Sequence, residues 1–151
     1  MFGFLIMFGG RVETIFQLSN LLVMPFWFLM ILLPHWGWTK RILASLWVIV
    51  PAALLYALLV IPALGSLLPS LASPQLATIG ALLGTPAGAT IAWAHFLAFD
   101  LFVGRWAYLD SRERHLTAWL VSPALFLILM VGPLGLLVYL SLRALPARPA
   151  A

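Results

Sequence analysis

The sequence contains no cysteine, which excludes disulfides, thiolate catalysis and cysteine-ligated metals or clusters, and leaves the redox compartment unreadable. Charge is scarce as well. Asp and Glu together number 4 and Lys and Arg 8, and charged residues make up 8% of the 151, against about a quarter in an average soluble domain. The basic residues are scattered at the ends of apolar runs and form no stripe interleaved with aromatics, so the formal charge of +4 points to anionic lipid headgroups and not to nucleic acid. No repeat of about 20 to 50 residues is present, which argues against a solenoid or an inverted-repeat transporter. A cleaved signal peptide is not indicated either. Residues 1–10 carry no positive charge and Arg11 follows the apolar run instead of preceding it, so this stretch reads as an interfacial or fraying terminus.

What is present is apolar: 64% hydrophobic residues and a mean hydropathy of +1.12. The chain reads as an integral membrane protein. Its length allows four spans of about 20 residues with short connections and no separate soluble domain. The expected fold class is therefore all-α, an integral membrane four-helix bundle forming one domain over residues 1–151, with spans near 14–33, 42–64, 87–109 and 117–142. Charged or aromatic borders delimit them: Arg11 and Glu13, then Pro34-His35-Trp36-Gly37-Trp38, Lys40-Arg41, Asp110 to His115, and Arg143. Pro25 is expected to kink the first span. Pro51 and Pro62 should bend the second by freeing the carbonyls of Trp47 and Leu58, and Pro133 should free that of Leu129. Residues 65–86, uncharged and rich in Gly, Ser, Pro and Thr, read as a connection, an ordinary loop in preference to a re-entrant or interfacial segment.

The third span is the exception to the rule that charge sits at segment ends, because it carries His95, Asp100 and Arg105. An ionisable group in hydrocarbon costs roughly 2.5–3.5 kcal/mol on insertion scales, so three in one span ask for a function. At 1.5 Å per residue, His95 and Asn20 lie about 12 and 10 Å in from one face, and Tyr56 and the Gly132-Pro133 break fall near the same level. Asn20, Tyr56 and His95 are thus expected to form one layer. Asp100 lies near mid-bilayer, while Arg105 is about 7 Å from the membrane surface and can snorkel. His95 and Asp100 are five residues apart, about 140° round the helix, as are Asp100 and Arg105, so their partners must come from other helices. Asp100 shares a face with Trp93 and Gly104, an aromatic wall and a backbone-accessible gap. The plainer readings are that Arg105 is an interface anchor, that His95 is a satisfied core histidine, and that Arg112, Glu113 and Arg114 are a solvated loop end. Asp100 resists such a reading, because a mid-membrane carboxyl with no cation beside it stays neutral and can donate a proton.

The block Trp93-x-His95-x-x-x-Phe99-Asp100-Leu101-Phe102-x-Gly104-Arg105-Trp106, followed by Asp110, resembles the abscisic-acid-deficient-four-like family of small membrane proteins. The resemblance extends to Pro25-Phe26-Trp27, Pro34 with Trp36, Tyr56, and Gly132-Pro133-x-Gly135-Leu136-Leu137 with Arg143. It implies a four-helix membrane protein of xanthophyll metabolism, whose plant relatives are proposed to isomerise the epoxide violaxanthin to the allene neoxanthin. No plastid transit peptide is expected and the chain looks like a compact bacterial form, so the substrate is not expected to transfer directly. His95, Asp100 and Arg105 are the positions nominated by the match.

The leading expectation is a protein that binds a carotenoid or other isoprenoid and isomerises an epoxide or a double bond within the bilayer. Opening an epoxide to an allene needs an acid for the ring oxygen and a base for a carbon-bound proton, and no metal, redox cofactor or water. Asp100 as acid and His95 as base are the expected catalytic residues, with Trp93, Asn20, Tyr56, Gly104, Arg105 and Pro133 against the substrate; no cofactor and no metal are expected. The alternative is a non-catalytic carotenoid- or lipid-binding or assembly protein using the same residues as interhelical bonds. A proton or solute carrier is disfavoured by the lack of a continuous polar path. Expected partners are membrane lipids and the hydrophobic ligand, with a homo-oligomer left open and no nucleic acid. The expected location is a bacterial inner membrane, or a plastid membrane in a phototrophic eukaryote. With four spans, Arg11, Arg143 and Arg148 share one face and Lys40, Arg41, Arg112 and Arg114 the other, with Arg105 tipping the second towards the cytoplasm or stroma.

Overall fold

Apolar runs of this length, with no water to satisfy the backbone, must close their hydrogen bonds within the segment. In the computed structural model, which describes residues 10–144, every regular element among those residues is a helix. Helix α1 is Val12–Leu32 and α2 is Gly37–Ala44; a 3₁₀ turn, Leu46–Val48, leads into α3, Val50–Val60. A second 3₁₀ turn, Ile61–Ala63, joins α3 to α4, Leu64–Ala72, and α5 is Leu76–Leu83. Then come α6, Pro86–Glu113, α7, Ala118–Val131, and α8, Pro133–Arg143. Three helical stretches are long and apolar enough to cross a membrane: Val12–Leu32, Val50–Ala72 and Pro86–Glu113. The expected interfacial stretch before Gly10, and Arg148, lie outside the described residues.

The second and fourth expected spans are corrected. Residues 42–64 are not one helix. Ser45 is extended (φ −77°, ψ 134°) and its hydroxyl accepts from the Trp47 amide, so the chain breaks there and α2 forms a separate short helix with Thr39 and Leu43 buried and Lys40 and Arg41 exposed. Pro51 falls in the first turn of α3 and Pro133 opens α8, positions where a helix has no partner for the missing amide. They start helices instead of bending them. Residues 65–86 are mostly helical, not a loop: α4 continues α3 through the 3₁₀ turn, and the Ser66 hydroxyl donates to the Ala63 carbonyl at 2.9 Å.

Residues 117–142 form two helices folded back on each other. Gly132 ends α7 at φ +35°, ψ −95°, a conformation that needs glycine, and α8 returns antiparallel along α7. Gly135 makes the close approach possible, since a Cβ there would stand 2.1 Å from the Ile128 nitrogen. The return is registered against α6: Gly132 lies beside Asp100, and Arg143 bonds Asp110 at 2.9 Å. Asp100 to Asp110 is about 15 Å along a helix and Gly132 to Arg143 about 16 Å, so α8 runs level with that half of α6. The last segment therefore reaches about half-way along α6 and returns to the end from which it came.

The 28-residue α6 is the axis of the molecule. Small residues on its buried face, Ala94, Ala98, Gly104 and Ala107, let its neighbours approach. Helix α1 runs parallel to it: Asn20 meets Trp93, Trp27 lies over Gly104, and the Tyr108 hydroxyl donates to the Pro34 carbonyl at 2.9 Å. Helix α3 is antiparallel, with Tyr56 beside His95 and Arg105 reaching Ala44. Because of the hairpin, Arg143 joins Lys40, Arg41, Arg105, Arg112 and Arg114 at the Asp110 end, and among the described residues only Arg11 is left at the other. The expected near-even split of basic residues rested on a fourth crossing and does not hold.

Candidate functional site

Asp100 sits half-buried on the face of α6 that meets the α7–α8 turn. Trp93, Phe96, Leu97 and Asp100 from α6 and residues 129–133 from the turn line a cavity of about 240 Å³. Its outer wall is open: Trp93 is 39% exposed and Phe96 55%, so the cavity opens on the apolar outer surface of the helices. The turn presses on the acid. A Cβ on Gly132 would stand 2.8 Å from Asp100 Oδ1, and α8 begins one residue later. Among the described residues both ion pairs belong to Asp110, and Asp100 has no hydrogen-bond partner. The result is an unpaired carboxyl in an apolar niche at the tip of a re-entrant hairpin.

Of the expected site residues, Trp93 and Pro133 line this niche. Asn20 fixes Trp93: its Oδ1 accepts from the indole Nε1 at 3.1 Å, while its Nδ2 donates to the Phe16 carbonyl at 2.9 Å and the Phe16 ring lies 5.5 Å from Trp93. An amide with both ends used holds the indole in one orientation.

Tyr56 and His95 do meet, with ring centroids 5.2 Å apart, and Phe99 lies 4.7 Å from His95. They do so on another side of α6, and His95 does not line the Asp100 cavity. The expected layer of Asn20, Tyr56 and His95 is therefore divided. Trp93 and His95 are two residues apart, about 200° round the helix, so what faces α1 and the turn cannot also face α3. Equal depth does not bring side chains together.

Gly104 offers no gap to a ligand, because the Trp27 indole fills it: a Cβ there would lie 2.3 Å from Trp27 Cη2, and Trp27 is 1% exposed. Arg105 turns away from Asp100 and donates through Nη2 to the Ala44 carbonyl at 2.8 Å, capping the negative end of α2.

A second polar group was missed by sequence reasoning. Asp110 accepts from the Tyr139 hydroxyl at 2.6 Å, from Arg143 Nε at 2.9 Å and from Arg114 Nε at 3.0 Å. The Arg143 guanidinium lies 5.8 Å from the Trp106 ring centroid, and Trp106 meets Tyr139 edge-on at 5.5 Å. This cluster ties the end of α8 to the end of α6. Asp110 and Arg143 were visible as borders of apolar runs, yet a pattern of alternating crossings placed them on opposite faces.

Chemically, the niche offers one carboxyl, an aromatic wall and access from hydrocarbon. The model of the family described as ABA DEFICIENT 4-like matches residues 14–139, which includes every residue of the niche. No curated protein and no solved structure matches the chain.

Proposed function

This chain belongs to the ABA DEFICIENT 4-like family, and from that premise we propose that it binds the end group of a carotenoid or related isoprenoid in the Asp100 niche and isomerises it there. The observation that carries the reading is the unpaired Asp100 carboxyl in an apolar cavity open to the membrane beside Gly132. An isoprenoid end ring fits such a cavity, with its chain lying in the surrounding lipid. Trp93, fixed by Asn20, supplies the flat wall.

Because no base stands beside Asp100, one carboxyl performs both proton transfers. Its O–H protonates the epoxide oxygen as the ring carbon–oxygen bond breaks and an alcohol forms. The carboxylate left behind then removes a proton from the adjacent chain carbon, whose electrons form the new double bond. The acid is regenerated and the sum is an isomerisation. In this reading His95 packs with Tyr56 and takes no part. The six basic residues at the Asp110 end face the cytoplasm of a bacterial inner membrane, by the bias of Lys and Arg to that side.

One observation favours a binder without chemistry: no second titratable side chain lines the cavity. Membranes containing the protein, incubated with an epoxy-xanthophyll and analysed for pigments, separate the two. Conversion that is lost in Asp100→Asn and kept in His95→Gln supports the single-acid mechanism, since asparagine preserves shape and hydrogen bonding but releases no proton. Pigment retained without conversion by the unmodified protein leaves only the binding role. Full activity in Asp100→Asn removes Asp100 from the mechanism.

A further inference from the structure

A different surface, between α1 and α7, is concave and apolar. Two cavities of about 560 and 530 Å³ adjoin there and share Ile31, Leu32 and Phe126. They extend from Leu21 to Leu32, about 16 Å along α1, and on to His35 in the turn beyond it. That covers the hydrocarbon of one leaflet, roughly 15 Å, and continues to headgroup level. Apart from the indoles of Trp27 and Trp119, the polar side chains on its walls are Ser122 and His35. Ser122 is already used, donating to the Ile31 carbonyl at 3.0 Å. The groove is largely apolar along its length and polar at its mouth.

At that mouth Arg112 Nη2 lies 3.3 Å from His35 Nδ1. A guanidinium can only donate, so Nδ1 accepts and the neutral imidazole carries its proton on Nε2, as a second donor. Both ion pairs among the described residues go to Asp110, from Arg114 and Arg143, so Arg112 has no carboxylate there. This end of the molecule gathers six cations, Lys40, Arg41, Arg105, Arg112, Arg114 and Arg143, against two carboxylates, Asp110 and Glu113. Trp119, 87% exposed, stands on the rim, as tryptophans do at headgroup level.

We infer that the α1–α7 groove is a binding site for an anionic phospholipid, one acyl chain filling the two cavities and the phosphate meeting Arg112 and the His35 N–H. Charge complementarity selects this occupant. A zwitterionic headgroup offers the same phosphate but brings its own ammonium to an end that already holds six cations, and a short amphiphile leaves the cavity beside Leu21 and Met24 empty. The site is independent of the Asp100 niche, from which only Leu129 is shared.

The test uses the whole protein in a neutral detergent, offered phosphatidylglycerol and phosphatidylcholine in equal amounts, with bound lipid counted by native mass spectrometry. The expected result is one phosphatidylglycerol retained in at least fivefold preference. Arg112→Gln lowers that preference about fivefold, the worth of one cation at an anionic surface. Leu32→Trp, at a position 63% exposed and lining both cavities, blocks retention of either lipid without touching the headgroup contacts. Arg41→Gln, at the same end but off the groove, leaves retention unchanged. Equal retention of the two lipids, or an equal loss in Arg41→Gln and Arg112→Gln, overturns the site in favour of diffuse attraction. Farnesyl diphosphate displacing phosphatidylglycerol at equal concentration overturns the phospholipid assignment.

Discussion

Gly132→Ala is the most informative single substitution, because Gly132 both turns the hairpin and touches Asp100. At φ +35°, ψ −95° a residue with a Cβ occupies a region other residues avoid, costing about 1–3 kcal/mol. The new methyl also stands 2.8 Å from Asp100 Oδ1, inside van der Waals contact, so the carboxyl or the turn must shift. Such a clash is an overpacking cost of about 1–3 kcal/mol. The variant should lose about 2–6 kcal/mol in all when unfolded by denaturant titration in micelles. The two parts separate in a double-mutant cycle. Asp100→Ala removes the carboxyl, so in that background Gly132→Ala should cost only the backbone strain, with a coupling of about 1 kcal/mol or more between the sites. A loss within about 0.5 kcal/mol, the range of a neutral surface change, would refute the left-handed turn. A full loss with no coupling would refute the contact with Asp100 while leaving the turn intact.

The hairpin also makes a topological prediction, and the absence of native cysteine allows single reporters. Cysteines at Arg41, Glu113 and Ala144 should react with a membrane-impermeant maleimide from one side, and one at Arg11 from the other; labelling of position 144 from the Arg11 side would restore four full crossings. Tyr139→Phe removes a hydroxyl that donates to the Asp110 carboxylate at 2.6 Å and should destabilise the protein by about 1.5–3 kcal/mol, the worth of a bond to a charged group. An unchanged denaturant midpoint would mean that the Asp110 cluster does not hold α8 against α6.

Physical constraints that act within a segment were legible in the sequence. Apolar runs bordered by charge must be membrane helices because no other backbone arrangement closes its own hydrogen bonds in hydrocarbon, and on that ground α1 and α6 were found nearly at their observed bounds. The oddity of Asp100 was legible for the same reason: a carboxyl inside such a run is costly wherever its neighbours lie. So were the expectation of a break at Gly132-Pro133 and the face shared by Asp100 and Trp93, both consequences of local chain geometry.

What a break does to the path of the chain is a different matter. Pro133 is compatible with a kink, a helix start or a reversal, and the reversal is stabilised only by groups distant in sequence, the Gly135–Ile128 approach and the bonds from Tyr139 and Arg143 to Asp110. The rotation of each helix about its axis is likewise a tertiary quantity. Depth follows from residue number at 1.5 Å per step, but azimuth depends on which helix packs on which face. The tertiary structure therefore separated His95 from Asp100, filled the Gly104 gap with Trp27 and sent Arg105 to the end of α2, because the small-residue face of α6 chose its neighbours by fit and not by the chemistry of the residues between.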